Sequence, residues 1–407
     1  MTASPIAEPA GGLPPDGLGK DKQYAKAHIG FAWLRMVGAL VVVLEHSWAL
    51  IDPENPSLFP AHWHVGDVAI LAFFAMSGYQ VQASWENDPS WWRFGARRLL
   101  RIIPPLAAML IITSLLVGAL FTTLPVGEYY SQGATWQFLL GAFPLVLYHT
   151  LPGVFETNFS NYSINPSLWT LPMELVGYAG ILVLGVLLAF RVSRWLMVLV
   201  VLGLGVWRGI YVATIGDYGA GGYFFDTPLN FMVKFLIAFG VGALLYKFRD
   251  RIPVRPLAAI VLFAVWVLVN FTIAPEAVDA TPNWNGGAAD SVALTLFNQY
   301  LMLVAAGYGA ITLAHHWPKS LERSGRWVMG SYGIFIWAGV IQQSAIALGV
   351  SDQWTLLVLS LPLSYLFGLL SWHYVELPTQ KLRRFLRAKD LSVPDKPEQS
   401  EPAATRG

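Results

Sequence analysis

Cysteine is absent from this 407-residue chain, which excludes disulfides, thiol nucleophiles and cysteine-built metal sites. Charge is scarce as well. Only 13% of residues are charged, against roughly 25% in ordinary soluble domains, so the chain falls outside that class. A net charge of +1 leaves no electrostatic footprint for nucleic acid, and none is expected as a partner. There is no P-loop, dinucleotide fingerprint or Gly-x-Ser-x-Gly nucleophile elbow. His315 and His316 abut and cannot both face one ion along a helix, while His62 and His64, two apart in a loop, are a weak signal. No metal site is therefore expected. Residues 1–30 are polar, rich in Pro and Gly, and lack the apolar core and cleavage site of a signal peptide. They read as a disordered cytosolic tail.

What the chain does have is apolar length. Hydrophobic residues make up 55% of it, the mean hydropathy is +0.51, and its 17 Trp and 16 Tyr suit rings that collect at membrane interfaces. A helix needs about 20 mostly apolar residues to cross a bilayer. Ten stretches qualify: 31–51, 66–84, 102–122, 169–190, 195–213, 229–247, 256–274, 293–314, 328–350 and 353–375. With residue 1 cytosolic and all ten crossing, 24 of the 26 Lys and Arg fall on the cytosolic side and none in the outer loops. That is the positive-inside pattern. It also makes 134–151, apolar but short and containing Pro144, an external or re-entrant element, since a crossing there would put Arg191 and Arg194 outside. The expected fold is an all-α polytopic membrane protein with about ten transmembrane helices. Its membrane domain is 31–376, followed by a basic and then disordered cytosolic tail, 377–407.

The remaining two basic residues, Arg208 and Lys234, lie within spans near their outer ends. Long side chains there either snorkel to the interface or line an outward-facing polar cavity. In the first span His46 follows Arg35 by eleven residues. Eleven steps of 100° return to within about 20° of the starting face, and the rise is about 16 Å. His46 thus shares a face with Arg35 but lies in the outer half of the bilayer. An ionisable residue at that depth is a functional candidate, weighed against a structural hydrogen bond to a neighbouring helix.

The small pair Ser77-Gly78 in the second span suits packing or substrate contact. The loop that follows interleaves Trp91, Trp92 and Phe94 with Arg93, Arg97, Arg98 and Arg101, as in a helix lying on the interface. Attraction to anionic membrane lipid is one reading. A phosphate site is the other, because Arg forks match phosphate geometry and Arg98 and Arg101 are helical neighbours. Glu174, just inside the outer end of the fourth span, falls at a depth similar to that of His46, where a carboxylate can orient an imidazole; His149 is a further candidate partner.

In this order the pieces resemble acyltransferase family 3, the multi-span membrane proteins that O-acylate cell-surface glycans and related acceptors. The motifs are Arg35 and His46 as LR(x)10H, FFAMSGY at 73–79, RRLLRIIPPL at 97–106, SLWTLPMEL at 167–175, GSYGIFIW at 330–337 and YVELP at 374–378. The resemblance implies catalytic roles for His46, Glu174 and Arg35, and donor contacts by Arg98, Arg101 and Arg35. Ser77, Gly78, Tyr79, Trp169, Lys234 and Arg208 are expected around the substrate. The implied donor is cytosolic acyl-CoA, commonly acetyl-CoA. The implied acceptor is a glycan or similar hydroxyl outside the cytosol, and the implied location a bacterial inner membrane with both termini cytosolic. The alternative is a transporter or flippase of a glycan or lipid-linked intermediate using the same cavity. The chain departs from the family pattern at Leu71, where an Asp is usual and Asp67 lies one turn earlier, and at Ala338 and Gly339, where a late His is usual. It also has one acid instead of two in WTLPMEL, and no hydrolase-like domain follows the spans.

Overall fold

The computed structural model describes residues 20–54, 58, 65–143, 148–159, 163–189, 195–216, 222–224, 227–273 and 292–386. Ten main helices appear among them, one at each stretch singled out by hydropathy. They are α1 (Lys20–Ile51), α2 (Val65–Asn87), α3 (Trp91–Phe121), α4 (Leu171–Ala189) and α5 (Trp195–Ile215). The rest are α6 (Leu229–Lys247), α7 (Pro256–Leu268), α8 (Val292–His315), α9 (Ser331–Ala347) and α10 (Gln353–Ser371).

Seven of these are long and apolar enough to cross a membrane. The other three are α2, α7 and α9. The last has 17 residues, and α2 carries Asp67, Glu86 and several amides. Central position explains how α2 tolerates that polarity. It packs most extensively on α6 and also on α8, α1 and α4, so its polar groups meet protein instead of lipid. The α2–α6 contact is close because two glycines allow it. A Cβ on Gly78 would lie 1.9 Å from the carbonyl oxygen of Phe239, and one on Gly242 would lie 1.8 Å from that of Ala75. Apolar side chains of α5 and α7, such as Leu199, Leu202, Ile210, Leu257 and Ile260, point outward and exposed, as lipid-facing surfaces do.

Within the segment 134–151 the described residues do not form a crossing helix. A short helix, Gly133–Gln137, leads into a 3-10 turn, Phe138–Ala142, and residues 148–150 have no regular secondary structure. The segment tucks against a π-turn in α3, Thr113–Val117. Such a turn frees carbonyls from the helical ladder, and the hydroxyls of Tyr129 and Tyr130 donate to those of Ser114 and Leu115 at 2.7 and 2.5 Å. Helix α1 begins at Lys20, and helical turns continue after α10 from Leu377 to Leu386. His62, His64, Pro144, Arg191 and Arg194 lie outside the described residues.

Candidate active site

One face of α1 organises the site. Arg35, Gly38, Ala39, Val42 and His46 follow at three- and four-residue steps, so they stack along a single stripe. At the end of the bundle that carries most of the arginines, the stripe borders a cavity of about 270 Å³ lined by Arg35, Gln80, Arg101, Tyr332, Trp372 and Glu376, among others. Beyond it lies an apolar slot of about 40 Å³. Gly38, Ala39 and Val42 form one wall of this slot, Phe73, Phe74 and Ser77 of α2 another, and Leu171 and Glu174 of α4 a third. Tyr332 borders both spaces and donates to the carbonyl of Ile102 at 3.3 Å. His46 stands one turn past Val42, on the same stripe.

Two arginines line the cavity. Arg35 is buried against the Phe73 ring, 5.2 Å from its centroid, and its Nε has no hydrogen-bond partner among the described residues. Arg101 lines the same cavity and is half-buried. Buried guanidinium N–H groups without acceptors are costly, and an anionic ligand would remove that cost. Pro104 and Pro105 add to the polarity here, because they take helical donors away from the carbonyls of Leu100 and Arg101.

Arg98, expected to share this role, is turned inward. Its Nη2 donates to Ser84 Oγ at 2.9 Å and its guanidinium stands 5.8 Å from the rings of both Phe94 and Tyr178. Arg93 and Arg97 clamp Asp88 outside the spans, and the Arg93 hydrogen bond, with help from Arg97, holds that carboxyl below its ordinary range.

Glu174 does not meet His46. It accepts from Ser77 Oγ at 3.0 Å and from the Tyr178 hydroxyl one turn along its own helix. The described partner of His46 is Ser167, whose Oγ lies 3.4 Å from the imidazole Nδ1. Ser167 precedes Glu174 by seven residues, which places the carboxylate roughly 10 Å deeper. Glu174 and His46 are thus not at equal depth, and it is Ser167 that faces the imidazole. The Ile164 N–H donates to the His149 carbonyl at 2.7 Å.

Of the residues expected around the substrate, Gly78, Tyr79, Trp169, Lys234 and Arg208 border neither the cavity nor the slot. Gly78 faces the α6 backbone. Tyr79 shares a hydrogen bond of 2.9 Å with His315 Nε2 and packs on Phe31 and Tyr246, away from both spaces. Trp169 packs its ring on Phe231 and Phe235. Lys234 is buried and paired with Asp67 at 2.6 Å, giving that acid a place at the His46 end of α2. Arg208 is fully buried and donates to Gln299 of α8 at 2.7 Å, so it does not snorkel, and it borders neither space. At the position of the family's late His, Gly339 leaves room for the loop before α4. A Cβ there would sit 2.5 Å from Asn165 Oδ1, and Asn165 bonds the carbonyl of Ile336. Ser77 alone of this group lines the slot. Gly38 and Tyr332 also line the slot, and Tyr178 donates to Glu174 at its edge. Tyr178 was detectable as the i+4 neighbour of Glu174, and Gly38 by its place on the stripe between Arg35 and His46.

Among the described residues no group of three His, Asp or Glu is placed to hold a metal. An acyltransferase-domain profile matches residues 28–385. An O-acetyl transferase of Shigella phage Sf6 is 30% identical over 148 residues, 36% of this chain and 43% of that protein. Nodulation protein 10 of Rhizobium leguminosarum bv. viciae is 28% identical over 393 residues, 92% of this chain and all of that one. No solved structure matches the chain.

Proposed function

Because the chain belongs to acyltransferase family 3, we propose that it moves an acyl group, most simply acetyl, from cytosolic acyl-CoA to a hydroxyl of an extracytoplasmic glycan or similar acceptor. In this reading ten helices cross a bacterial inner membrane, both termini are cytosolic, and the arginine-rich end faces the cytosol. The observation that carries it is the α1 stripe, which runs from an arginine-lined cavity through a slot to a histidine.

Arg35 and Arg101 pair with donor phosphates in the cavity, and Arg98 supports the Tyr178–Glu174 side of the slot from behind. The acyl end advances along α1 towards His46. With Nδ1–H donating to Ser167, His46 Nε2 is free to take the proton of the acceptor hydroxyl. The acceptor oxygen bonds to the thioester carbon, the C–S bond breaks, and the leaving thiolate recovers the proton from the imidazolium. A relay in which Nε2 first attacks the same carbon uses the same residue, and trapping an acyl-histidine separates the two.

Purified protein in nanodiscs, given radiolabelled acetyl-CoA and a panel of glycans, tests the reading. Label transferred by wild type and not by His46→Ala supports it. Glycan movement across the bilayer with no transfer would favour the flippase instead.

A further inference from the structure

In the proposed reaction the acyl group is the leading end of the donor, so it must pass the apolar slot before it reaches His46. That order of events turns the width of the slot into a selection step. Gly38 and Phe73 both line the slot, one from α1 and the other from α2. A Cβ built on Gly38 would meet only one atom within 4 Å, Cδ2 of the Phe73 ring, at 3.9 Å. Gly78 and Gly242 have their missing side chain replaced by a neighbouring backbone, and Gly38 does not, so close helix packing does not explain Gly38. Its hydrogen faces the slot, with Val42 one turn further along and Ala39 beside it. The free space there is about 40 Å³, close to one or two water molecules, and the walls are almost all hydrocarbon.

We propose that this slot is an acyl filter, in which Gly38, Val42 and Phe73 set the bulk of acyl group that is transferred. A slim linear chain such as acetyl or propionyl fits between a glycine and the edge of an aromatic ring. A branched or aromatic acyl group does not, because well-packed helices resist displacement and one methylene in such a pocket changes specificity by about tenfold or more. The inference rests on the acyl-CoA reading above.

The test measures kcat/KM for acetyl-, propionyl-, isobutyryl- and benzoyl-CoA in wild type, Gly38→Val and Val42→Ala. Gly38→Val narrows the slot and should lower propionyl relative to acetyl transfer by about tenfold or more, with acetyl-CoA binding retained. Val42→Ala widens it and should raise isobutyryl relative to acetyl transfer by a similar factor. If Gly38→Val does not fold, Val42→Ala decides the matter alone, since its predicted change is a gain. Unaltered ratios in a folded, acetyl-transferring Val42→Ala enzyme would overturn the filter while leaving acyl-CoA as donor. Wild-type protein that transfers no acyl group from any of the four would overturn the donor reading, and the filter with it.

Discussion

Two regions of the bundle bury arginine, and they treat it differently. On the flank built from α5 and α8, Arg208 is fully enclosed, donates to Gln299, and stands 5.9 Å from the centroid of the Tyr300 ring. At the arginine-rich end of α1 and α3, Arg35 and Arg101 border the cavity, and Arg35 packs on the Phe73 ring with its Nε lacking a hydrogen-bond partner among the described residues. Burial of a cation is common to both regions. What separates them is access: Arg35 and Arg101 line a cavity where an anionic ligand can reach them, whereas Arg208 borders neither space and is enclosed by the helices around it.

The largest effect that could break this contrast lies at the end of the stripe. Replacing His46 by Ala should lower acyl transfer by about a hundred- to ten-thousand-fold, while the protein still inserts and binds acetyl-CoA. Ser167→Ala should cost far less, because Ser167 only orients the ring at 3.4 Å. A folded His46→Ala protein that transfers at near wild-type rate would remove the stripe from the mechanism.

Next in size are the arginines themselves. Arg35→Ala and Arg101→Ala should each weaken acetyl-CoA binding by roughly tenfold to a hundredfold, the worth of a charge-assisted hydrogen bond. Lys should rescue only part, since it lacks the fork. Arg98→Ala should affect binding less and stability more, because Arg98 is engaged with Ser84, Phe94 and Tyr178. Calorimetric titration of the three variants orders them, and equal losses would put Arg98 back in the cavity. Arg208→Met supplies the opposite pole. It should lower the melting temperature by a few degrees and leave kcat/KM per folded molecule unchanged, since Arg208 borders neither space.

How much of this was legible in the sequence follows from which geometry a sequence encodes. Helices were legible because apolar length is local: each of the ten stretches contains a helix, and seven of these are long and apolar enough to cross a membrane. The Arg35–His46 face was legible because eleven residues fix a rotation along one rod. The non-crossing nature of 134–151 came from where Arg191 and Arg194 would otherwise fall, and its described residues agree. Relations between rods were not legible. Glu174 and His46 were expected at one depth, yet the loop before α4 enters far enough to give His46 a serine and leave Glu174 two turns below. Arg98 and Arg101 share a helix face, but α2 and α4 take one and the cavity keeps the other. The slot needs walls from α1, α2, α4 and α9 at once, and no periodicity in any single segment reports that.

The smallest expected effect sharpens the contrast from the surface side. Asp88 sits in the turn between α2 and α3, where Arg93 bonds it through Nε and Nη2 and Arg97 through Nη1. Here arginine and acid satisfy each other in water, unlike Arg208, whose described hydrogen bond goes to a neutral amide inside the bundle. The Arg93 hydrogen bond holds the Asp88 carboxyl below its ordinary range. A carboxyl depressed on folding contributes stability that is fully present above its unfolded pKa, about 3.9, and is lost as pH falls through the lower folded value. Solvent screens the cluster, so the contribution is at most about 1 kcal/mol. Asp88→Asn should therefore lower the melting temperature slightly at pH 7, and the difference from wild type should shrink as pH drops below about 4. Added salt should shrink it too. Acyl transfer should not change, because Asp88 borders neither the cavity nor the slot. Thermal unfolding of the two proteins at pH 7 and at pH 3 reads the sign. A difference that grows on acidification would mean that the Asp88 carboxyl destabilises the turn in its charged form, and the clamp would then have to be reassigned to Arg93 and Arg97 packing on Trp92 and the helix start.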